Sequence, residues 1–532
     1  MDEDVFYYED DDDISEGGYL EQQMYEQYLS AAVSGHQYVM PQERLPFGEH
    51  YKRCLEQLMF VSGETGMSTF MQLGLIMVSC LLISLTACLT FLPGYFVPWT
   101  SIFCGSYIVY IFFGQDSALV LLIFSFVTVV YSFTYYVHCI LRKHGVGWRV
   151  GCLCITLLAM MQYLLPEKIF LQIRGILMIV IMKLFSLGLD VEAKEVREIP
   201  NLLEAYNYCL GASSVMFGPW MPYREFAFIM KQKEYKTVWK SIWQGLVTFM
   251  IALLSLLVST CFMEWVIPDE YEYYSAWLIA FRDAMSFRYS HYFVSYTAEG
   301  SLYLSGYLAK PIDDGEDEEE MWEEEDESKR KYWGGRNTMH VIGRRIKRAL
   351  GESEFKYPVT NALDVEFPRS LVDVVISWNI PMHVWLKKYV FIPTKEDVGH
   401  FWAVLTTFFV SALLHGFNLQ IMVVLLSLGM YTYSEHVLRE KLSKAFSACI
   451  RARRCRRGCD HANDGWNFFV ILTNFSFFLL AVFHLAYLGM VFDSSESQEE
   501  GYSLSHTLTK WSRLSFASHY VALGMLIFAK II

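Results

Sequence analysis

Two polar side chains stand out because they lie inside long apolar runs, where polar groups are costly and often functional. The deeper one is His415, in the segment Phe-Phe-Val-Ser-Ala-Leu-Leu-His-Gly-Phe-Asn-Leu-Gln, well inside the apolar run Phe401–Tyr433. A neutral imidazole accepts a proton near neutral pH, so His415 is a candidate general base. A structural histidine that hydrogen-bonds to a neighbouring helix is an interpretation of equal weight.

The second polar residue is Asn379, in the segment Ser-Trp-Asn-Ile-Pro-Met-His-Val-Trp. Pro381 follows two residues later, removes a backbone donor, and bends or breaks the helix. A carboxamide beside such a break can donate a hydrogen bond to a carbonyl oxygen or orient a partner imidazole. The alternative is a structural role, in which the Asn379 side chain satisfies the carbonyls that the proline leaves unpaired. Of the polar residues inside apolar runs, His415 and Asn379 are therefore the first and second candidates for a functional role.

Three cations, Arg174, Lys183 and Arg288, lie within or beside apolar runs. Near a membrane edge such side chains extend to the interface, which is the commoner outcome. Deep in a helix bundle they can instead pair with the phosphates of a charged ligand. The sequence leaves both interpretations open.

The elements that must position these residues are long apolar runs. The chain has 532 residues, of which 54% are hydrophobic and 19% are charged. About 20 apolar residues in a helix match the roughly 30 Å hydrocarbon thickness of a bilayer. We therefore predict an all-α fold, a polytopic membrane helix bundle of about ten to twelve transmembrane segments. The run Phe401–Tyr433 is too long for one upright span, so it is either strongly tilted or two segments with a short break. The candidate runs are Met67–Leu92, Phe96–Gly114, Ala118–Leu141, Trp148–Leu165, Ile169–Leu189, Tyr206–Trp220, Trp243–Ile267, Trp277–Tyr296, Leu371–Phe391, Phe401–Tyr433, Trp466–Val491 and Phe516–Ile532.

Two acidic tracts account for the negative net charge. Met1–Glu43 and Asp313–Glu327 each contain 12 acidic and no basic residues, and removing these 24 charges from the total of −14 leaves +10. Such tracts bury too little apolar surface to order, so we expect solvated appendages on a cationic membrane body. The predicted organisation is an acidic N-terminal tail over 1–66, mostly disordered and then interfacial, and a membrane domain over 67–532. A charged loop occupies about 297–369. No cleavable signal peptide is expected, and the first span, beginning near Met67, acts as the signal anchor.

Basic segments suggest an orientation, because short basic loops stay on the cytosolic side. Arg439–Arg457 is the strongest such segment and Arg142–Arg149 is weaker, and both are placed in the cytosol. Within the first segment and just after it, Cys455, Cys459 and His461 fit no four-ligand zinc spacing well. A loop cysteine pair or a lipidation site is favoured there, and no metal site is predicted.

The remaining cysteines give no sign of a disulfide framework. Those in or beside apolar runs are interpreted as small buried hydrophobic residues. They are Cys80, Cys88, Cys104, Cys139, Cys152, Cys154 and Cys261.

Several functional classes are excluded by what the chain lacks. It has no internal repeat, no glycine-rich phosphate loop and no stretch that resembles a soluble catalytic domain. No nucleic-acid partner is expected. Chemistry must then occur within the membrane bundle, which leaves lipid-handling enzymes, transporters, channels and receptors.

A histidine in an apolar helix, preceded some thirty to forty residues earlier by an asparagine after tryptophan, resembles the membrane-bound O-acyltransferase family. Further segments are similar to the branch of that family that acylates Wnt proteins, and the resemblance extends from about Arg174 to the C-terminus. They are Phe217-Gly218-Pro219-Trp220, Phe367-Pro368-Arg369-Ser370, Trp378-Asn379-Ile380-Pro381-Met382, Ser411-Ala412-Leu413-Leu414-His415-Gly416-Phe417, Glu435-His436-Val437-Leu438-Arg439 and Phe483-His484-Leu485-Ala486-Tyr487-Leu488-Gly489.

The resemblance implies a protein-serine O-palmitoleoyltransferase in the endoplasmic reticulum membrane. Its donor substrate would be palmitoleoyl-CoA, its acceptor a serine of a Wnt protein, and membrane lipids its surroundings, with no permanently bound cofactor. His415 would be the catalytic histidine and Asn379 its companion. One alternative is an acyltransferase of the same family with a lipid or another protein as acceptor. A different class is a multi-pass transporter in which His415 relays protons, although paired broken helices are not evident.

Overall fold

A computed structural model of the chain describes residues 46–60, 67–141, 145–196, 198–268, 275–308, 357–455, 459–492 and 503–532. Both acidic tracts lie outside these residues. The chain divides into two compact units, Met1–Glu49 and His50–Ile532. Only four residues of the first unit are described, and the helix bundle with its candidate site residues lies in the second unit.

The described chain is built from α-helices, as the apolar runs predict. Before the charged loop the helices are α1 (Phe47–Met59), α2 (Thr69–Cys88), α3 (Phe96–Phe112), α4 (Ser117–Tyr135), α5 (Val146–Leu164), α6 (Glu167–Glu192), α7 (Leu202–Leu210), α8 (Tyr223–Ile229), α9 (Tyr235–Leu257) and α10 (Ala276–Leu304). After it they are α11 (Ala362–Glu366), α12 (Leu371–Trp378), α13 (Ile380–Leu386), α14 (His400–Leu414), α15 (Leu419–Ala445), α16 (Phe468–Gly489), α17 (Leu504–Arg513) and α18 (Ala517–Ile531). Single π-helical turns continue α4, α9 and α13, over Tyr136–Ile140, Val258–Phe262 and Lys387–Phe391. Short helices over Met263–Val266 and Ile392–Val398 follow the second and third of these turns.

The prediction of a polytopic helical membrane protein is confirmed. Within the described ranges, seven helices are long and apolar enough to cross a membrane, or eight if the bent pair α17 and α18 forms one span. Two shorter apolar helices, α3 and α14, accompany them. Other predicted runs take different forms, since Tyr206–Trp220 becomes the end of a short helix followed by a loop, and Leu371–Phe391 is broken.

Small residues allow the helices to approach closely, as is common in membrane bundles. The pair α9 and α10 illustrates this. A Cβ added at Gly245 would lie 2.8 Å from the Leu304 side chain, and one added at Gly300 would lie 2.6 Å from Phe249. Helix α10 continues along this contact to Leu304. Residues 297–304, which the sequence analysis assigned to the charged loop, therefore belong to the packed helix bundle.

Two helix breaks determine where the candidate residues lie. Leu371–Phe391 is interrupted at Asn379, between α12 and α13. Phe401–Tyr433 is interrupted at residues 415–418, between α14 and α15, so the two-segment interpretation of that run is correct. The helices α14 and α15 pack side by side, which places His415 at the turn of a helical hairpin.

Three of the cysteine assignments are wrong. Cys261 is not a free buried residue but forms a disulfide with Cys54. Cys139 and Cys152 are exposed, not buried. Sequence reasoning missed the disulfide because its two cysteines are 207 residues apart and only one borders an apolar run.

The disulfide lies at the end of the bundle where α10 begins. Six residues after Cys261, the carbonyl of Ile267 accepts a hydrogen bond at 3.1 Å from Nη1 of Arg282, which lies in the second turn of α10. We call this the disulfide end of the bundle.

The opposite end carries residues 446–455 and 459–467, the described part of the segment between α15 and α16, which we call the cysteine loop. Helix α16 starts beside it, where Asn474 Nδ2 donates to the Cys449 carbonyl at 3.3 Å. The same helix ends at Gly489, packed against Ala284 of α10 at the disulfide end. Its 22 residues therefore separate the two ends by about 33 Å, one bilayer thickness. Disulfides persist in the lumen and basic loops stay in the cytosol, so both criteria give the same orientation.

The disulfide yields a first prediction. Cys54→Ser should lower the free energy of unfolding by about 2–4 kcal/mol, because the cross-link restricts a long loop of the unfolded chain. Thermal denaturation in detergent should show a lower midpoint, while Cys139→Ser, at an exposed free thiol, should leave it unchanged. Peptide mapping without reductant that finds free Cys54 and Cys261 would contradict the assignment.

Candidate functional site

A large cavity is lined by described residues from both ends of the bundle. Its volume is about 2530 Å³. Ser259 and Thr260, beside the disulfide, line one end, and Arg451 and Arg453 of the cysteine loop line the other. Apolar side chains of α12, α14 and α15 form much of the wall between them. A ligand could therefore be reached from both sides of a membrane.

Asn379 lies on the wall of this cavity, at the break between α12 and α13. Its Oδ1 accepts a hydrogen bond from the Met382 backbone at 3.0 Å and thereby caps α13. Pro381 sits in the first turn of α13, where its missing N–H costs nothing. The side-chain oxygen is thus occupied by the helix cap, whereas Nδ2 has no hydrogen-bond partner among the described residues. The amide group is the part of Asn379 that remains available to a substrate.

The backbone around Asn379 is supported by a separate segment. The Ile380 amide donates to the Val359 carbonyl at 2.9 Å, and the Asn361 amide donates to the Ser377 carbonyl at 2.9 Å. The Ser377 carbonyl, which lies four residues before Pro381 and so lacks a helical donor, is therefore satisfied by this segment and not by the Asn379 side chain. The break is a fixed feature with its polar groups paired.

His415 lies on the same cavity wall, directly after the last residue of α14. Gly416 follows with a φ of +89°, a conformation that favours glycine. The turn is held by Gln162 of α5, whose Oε1 accepts from the Phe417 amide at 2.7 Å. Asn418 then caps α15 through Oδ1 and the Ile421 amide at 3.1 Å. The 15 residues of α14 place His415 about 22 Å from the start of that helix.

The imidazole of His415 is half-buried and makes no hydrogen bond to the described residues. The interpretation as a structural histidine bonded to a neighbouring helix therefore has no support in the described contacts. Both sequence-predicted site residues line one cavity, and each presents an uncommitted polar group there.

The three membrane cations have different environments. Lys183 is buried away from the cavity, and its Nζ donates to the Tyr208 carbonyl at 2.6 Å and to Ser214 Oγ at 2.7 Å. Arg288 lines the cavity but forms a two-bond ion pair with Glu366, at 2.9 and 3.1 Å. Arg174 also lines the cavity and has no ion-pair partner among the described residues. Only Arg174 of the three is thus left for a ligand.

Sequence reasoning missed His291 and its surroundings. His291 lines the cavity, stacks on Trp378 at 4.2 Å between ring centroids, and hydrogen-bonds to the Trp378 carbonyl at 2.7 Å. It therefore positions the residue before Asn379. Arg288 and His291 are three residues apart on one face of α10 and both line the cavity, and this spacing is a signal that could have identified the wall.

Glu435 belongs to one of the segments that carried the resemblance, and it holds the start of α12, the helix that leads to Asn379. Its Oε2 accepts a hydrogen bond from the Leu371 amide at 2.8 Å, at the start of α12. Arg439 lies 3.5 Å from the other carboxylate oxygen and stacks over Phe477. The segment therefore fixes the helix that ends at Asn379.

The cysteine loop brings Cys455, Cys459 and His461 together, and adds Cys449, which sequence reasoning had left out. The donor atoms of these four residues all lie within 4.8 Å of one another. A hydrogen bond with His461 lowers the pKa of the Cys459 thiol to about 7, while burial raises the pKa of Cys449 to about 12.

The arrangement suits acyl transfer. An imidazole without a partner can take a proton from a hydroxyl, and an amide N–H can stabilise negative charge on an oxygen. The apolar wall can hold a long chain, and the basic end can attract an anion. These groups share one cavity, so all four tasks can be carried out on bound reactants.

Comparison with known proteins agrees with this chemistry. The family model "MBOAT, membrane-bound O-acyltransferase family" matches residues 102–447. The protein-serine O-palmitoleoyltransferase porcupine of Homo sapiens is 31% identical over 91% of this chain and 98% of its own. The proteins of the same name from Mus musculus and Drosophila melanogaster are 33% and 32% identical, over 83% and 66% of this chain and 90% and 63% of theirs.

The Arg288–Glu366 pair yields a second prediction. The Arg288 side chain is 5% exposed, so Glu366→Gln should leave a buried charge without its counter-ion and cost about 3–5 kcal/mol of unfolding free energy. The thermal midpoint in detergent should fall accordingly. Glu195→Gln is the matched control, because Glu195 pairs with Lys388 at an exposed position, 46% accessible, where such pairs contribute little. Equal midpoints for the two variants would contradict the assignment.

Proposed function

The chain belongs to the membrane-bound O-acyltransferase family, and from this premise we propose that it transfers a palmitoleoyl group to a serine hydroxyl of Wnt proteins. It is a multi-pass membrane O-acyltransferase. Similarity to protein-serine O-palmitoleoyltransferases over most of the chain supports the reaction type. We further propose palmitoleoyl-CoA as the donor and the endoplasmic reticulum membrane as the location.

The observation that carries the proposal is the shared cavity. His415 and Asn379 line one space that extends from the disulfide end to the cysteine-loop end. Coenzyme A is a cytosolic polyanion, whereas a secretory protein presents its serine from the lumen. An enzyme that joins them needs a site that reactants from both sides can reach, and a cavity lined by residues of both ends of the bundle supports this proposal.

We assign the proton transfer to His415. As the serine Oγ attacks the thioester carbonyl carbon, the imidazole accepts the hydroxyl proton. When the tetrahedral intermediate collapses, the carbon–sulfur bond breaks and the imidazolium returns that proton to the leaving thiolate of coenzyme A. The products are a serine ester and free coenzyme A, and the histidine is regenerated.

We assign carbonyl stabilisation to Asn379. Its Oδ1 is held by the Met382 amide, so the direction of Nδ2 is fixed before the substrate binds. A preorganised donor of this kind stabilises the oxyanion without reorganisation, typically by 3–4 kcal/mol.

We place the donor with its phosphates at the cysteine-loop end. Arg451, Arg453 and Arg454 line the cavity there and supply positive charge. The pantetheine arm then runs from the phosphates to the thioester beside His415, and the acyl chain extends beyond the thioester along the apolar wall. Long-chain acyl-CoA should therefore bind even when the chemistry is blocked.

His415 yields a third prediction. In detergent-purified protein, His415→Ala should lower transfer from palmitoleoyl-CoA to a Wnt-derived serine peptide by about 10²–10⁴-fold, the usual contribution of a general base. Binding of palmitoleoyl-CoA, measured by calorimetry, should persist. A peptide with Ser→Ala at the acceptor position is the control and should accept nothing. Full transfer by His415→Ala would rule out the assigned role. Failure of the wild type to bind acyl-CoA would favour the transporter class.

Asn379 yields a fourth prediction, which separates its two roles. In Asn379→Asp the carboxylate can still cap α13 but offers no N–H donor, so the thermal midpoint should stay near that of the wild type. Transfer should fall by about 10²–10³-fold, because an oxyanion donor is lost. Asn379→Ala loses both functions and should also be less stable by about 1 kcal/mol. Wild-type transfer by Asn379→Asp would assign this residue to capping alone.

A further inference from the structure

We propose that Cys449, Cys455, Cys459 and His461 bind one Zn²⁺ ion that holds the cysteine loop in place at the mouth of the cavity. The proposal concerns the folding of this loop and does not depend on which acyl chain or acceptor the enzyme uses.

The distances between the donor atoms fit a mononuclear tetrahedral site. Metal–ligand bonds of about 2.3 Å to sulfur and 2.0–2.1 Å to nitrogen place two sulfurs about 3.8 Å apart, and a sulfur and a nitrogen about 3.5 Å apart. The structure has 3.2 Å between the Cys449 and Cys459 sulfurs. His461 Nδ1 lies 3.6 Å from the Cys449 sulfur and 3.7 Å from the Cys455 sulfur. The four donors thus already surround a space of the right size.

The same distances argue against a disulfide within the cluster. A disulfide requires about 2.0 Å between sulfurs, far shorter than the 3.2 Å between Cys449 and Cys459. A disulfide between two of the cysteines would also not explain why the third thiol and the His461 imidazole lie within 4.8 Å of them.

The histidine is oriented as a metal ligand. Its Nε2 lies 3.3 Å from Ser443 Oγ, and the Ser443 hydroxyl donates its own proton to the Ala448 carbonyl at 2.6 Å. Ser443 must therefore accept from His461, which places the imidazole proton on Nε2 and leaves the Nδ1 lone pair directed at the cysteines. Metal-bound histidines are commonly fixed in this way through their second nitrogen.

The backbone that carries the ligands is also held on both sides. The Cys449 amide donates to the Asn463 carbonyl at 3.0 Å, and the Asn463 amide donates to the Ser447 carbonyl at 2.9 Å, so the two ends of the loop are paired. Arg369 Nη2 donates to the Cys449 carbonyl at 2.6 Å. A preformed scaffold of this kind is expected around a structural metal site.

The ligand types select the metal. Three thiolates and one imidazole suit zinc, whereas calcium and magnesium prefer oxygen ligands. Four protein ligands leave no open position, which is typical of structural zinc. One Zn²⁺ ion with three thiolates has a net charge of −1. Arg451, Arg453 and Arg454 in the same loop offset this negative charge. On the cytosolic side the thiols stay reduced and available.

The site would fix the basic end of the cavity. Arg451, Arg453 and Arg454 lie between Cys449 and Cys455 in sequence and line the cavity. With ligands on both sides of these arginines, the metal would determine where their charges lie.

Metal analysis of the full-length protein tests the proposal directly. Purified without chelator, the wild type should contain about one zinc per chain by elemental mass spectrometry. Cys459→Ser and His461→Ala should lose most of it. His461→Cys should keep it, since a four-cysteine set also binds zinc. Cys139→Ser removes an exposed thiol elsewhere and should retain the full content. A wild type without zinc, or with iron in its place, would overturn the assignment.

A second measurement uses only the wild type, so it does not depend on whether variants fold. Thiol alkylation followed by peptide mapping should find Cys449, Cys455 and Cys459 protected, and a strong chelator should expose all three together. Labelling of Cys139 and Cys152, which are exposed, should not change. Free labelling of the three cysteines before chelation would refute the proposal, as would a Cys449–Cys459 disulfide or an S-acyl group on any of them.

Discussion

The structure depends on one constraint, that backbone N–H and C=O groups inside a bilayer must be paired within the protein. Continuous helices meet it automatically, but α12 and α14 both end within the bundle. At the first break, Val359 and Asn361 bond to the neighbouring backbone. At the second, Gln162 binds the Phe417 amide. Side chains and a packed segment thus replace the missing helical bonds, and the breaks become fixed features of the cavity wall.

The same pairing occupies several of the polar groups that line the cavity. The Asn379 oxygen caps α13, His291 binds the Trp378 carbonyl, and Arg288 is neutralised by Glu366. After these bonds, the amide of Asn379 and the imidazole of His415 have no partner among the described residues. A helix break is costly in a membrane, and here each break exposes one reactive group at a defined depth. The selectivity of the site therefore follows from how completely its surroundings are satisfied.

The sequence predicted some of this and not the rest, for physical reasons. Apolar runs identify helices because length and hydropathy are local properties, and polar residues within them identify His415 and Asn379 as costly. Whether Phe401–Tyr433 tilts or breaks depends on Gln162, about 250 residues away, so the sequence left both open. The Cys54–Cys261 disulfide and the role of Cys449 were missed because they depend on long-range packing or on a spacing that matches no standard pattern. The family resemblance supplied the chemistry, while the partner of each polar group required the structure.

The cysteine loop and the Asn379 break are linked through the start of α12. Arg369 and Ser370, just before that helix, bond to the carbonyls of Arg451, Cys449 and Ala452 in the cysteine loop. Glu435 of α15 binds the next amide, that of Leu371. Helix α12 has only eight residues, about 12 Å, and its far end is Asn379. A helix so short, and held by these bonds at its first turn, has little length over which to bend. The position of the Asn379 amide in the cavity therefore depends on a well-ordered cysteine loop.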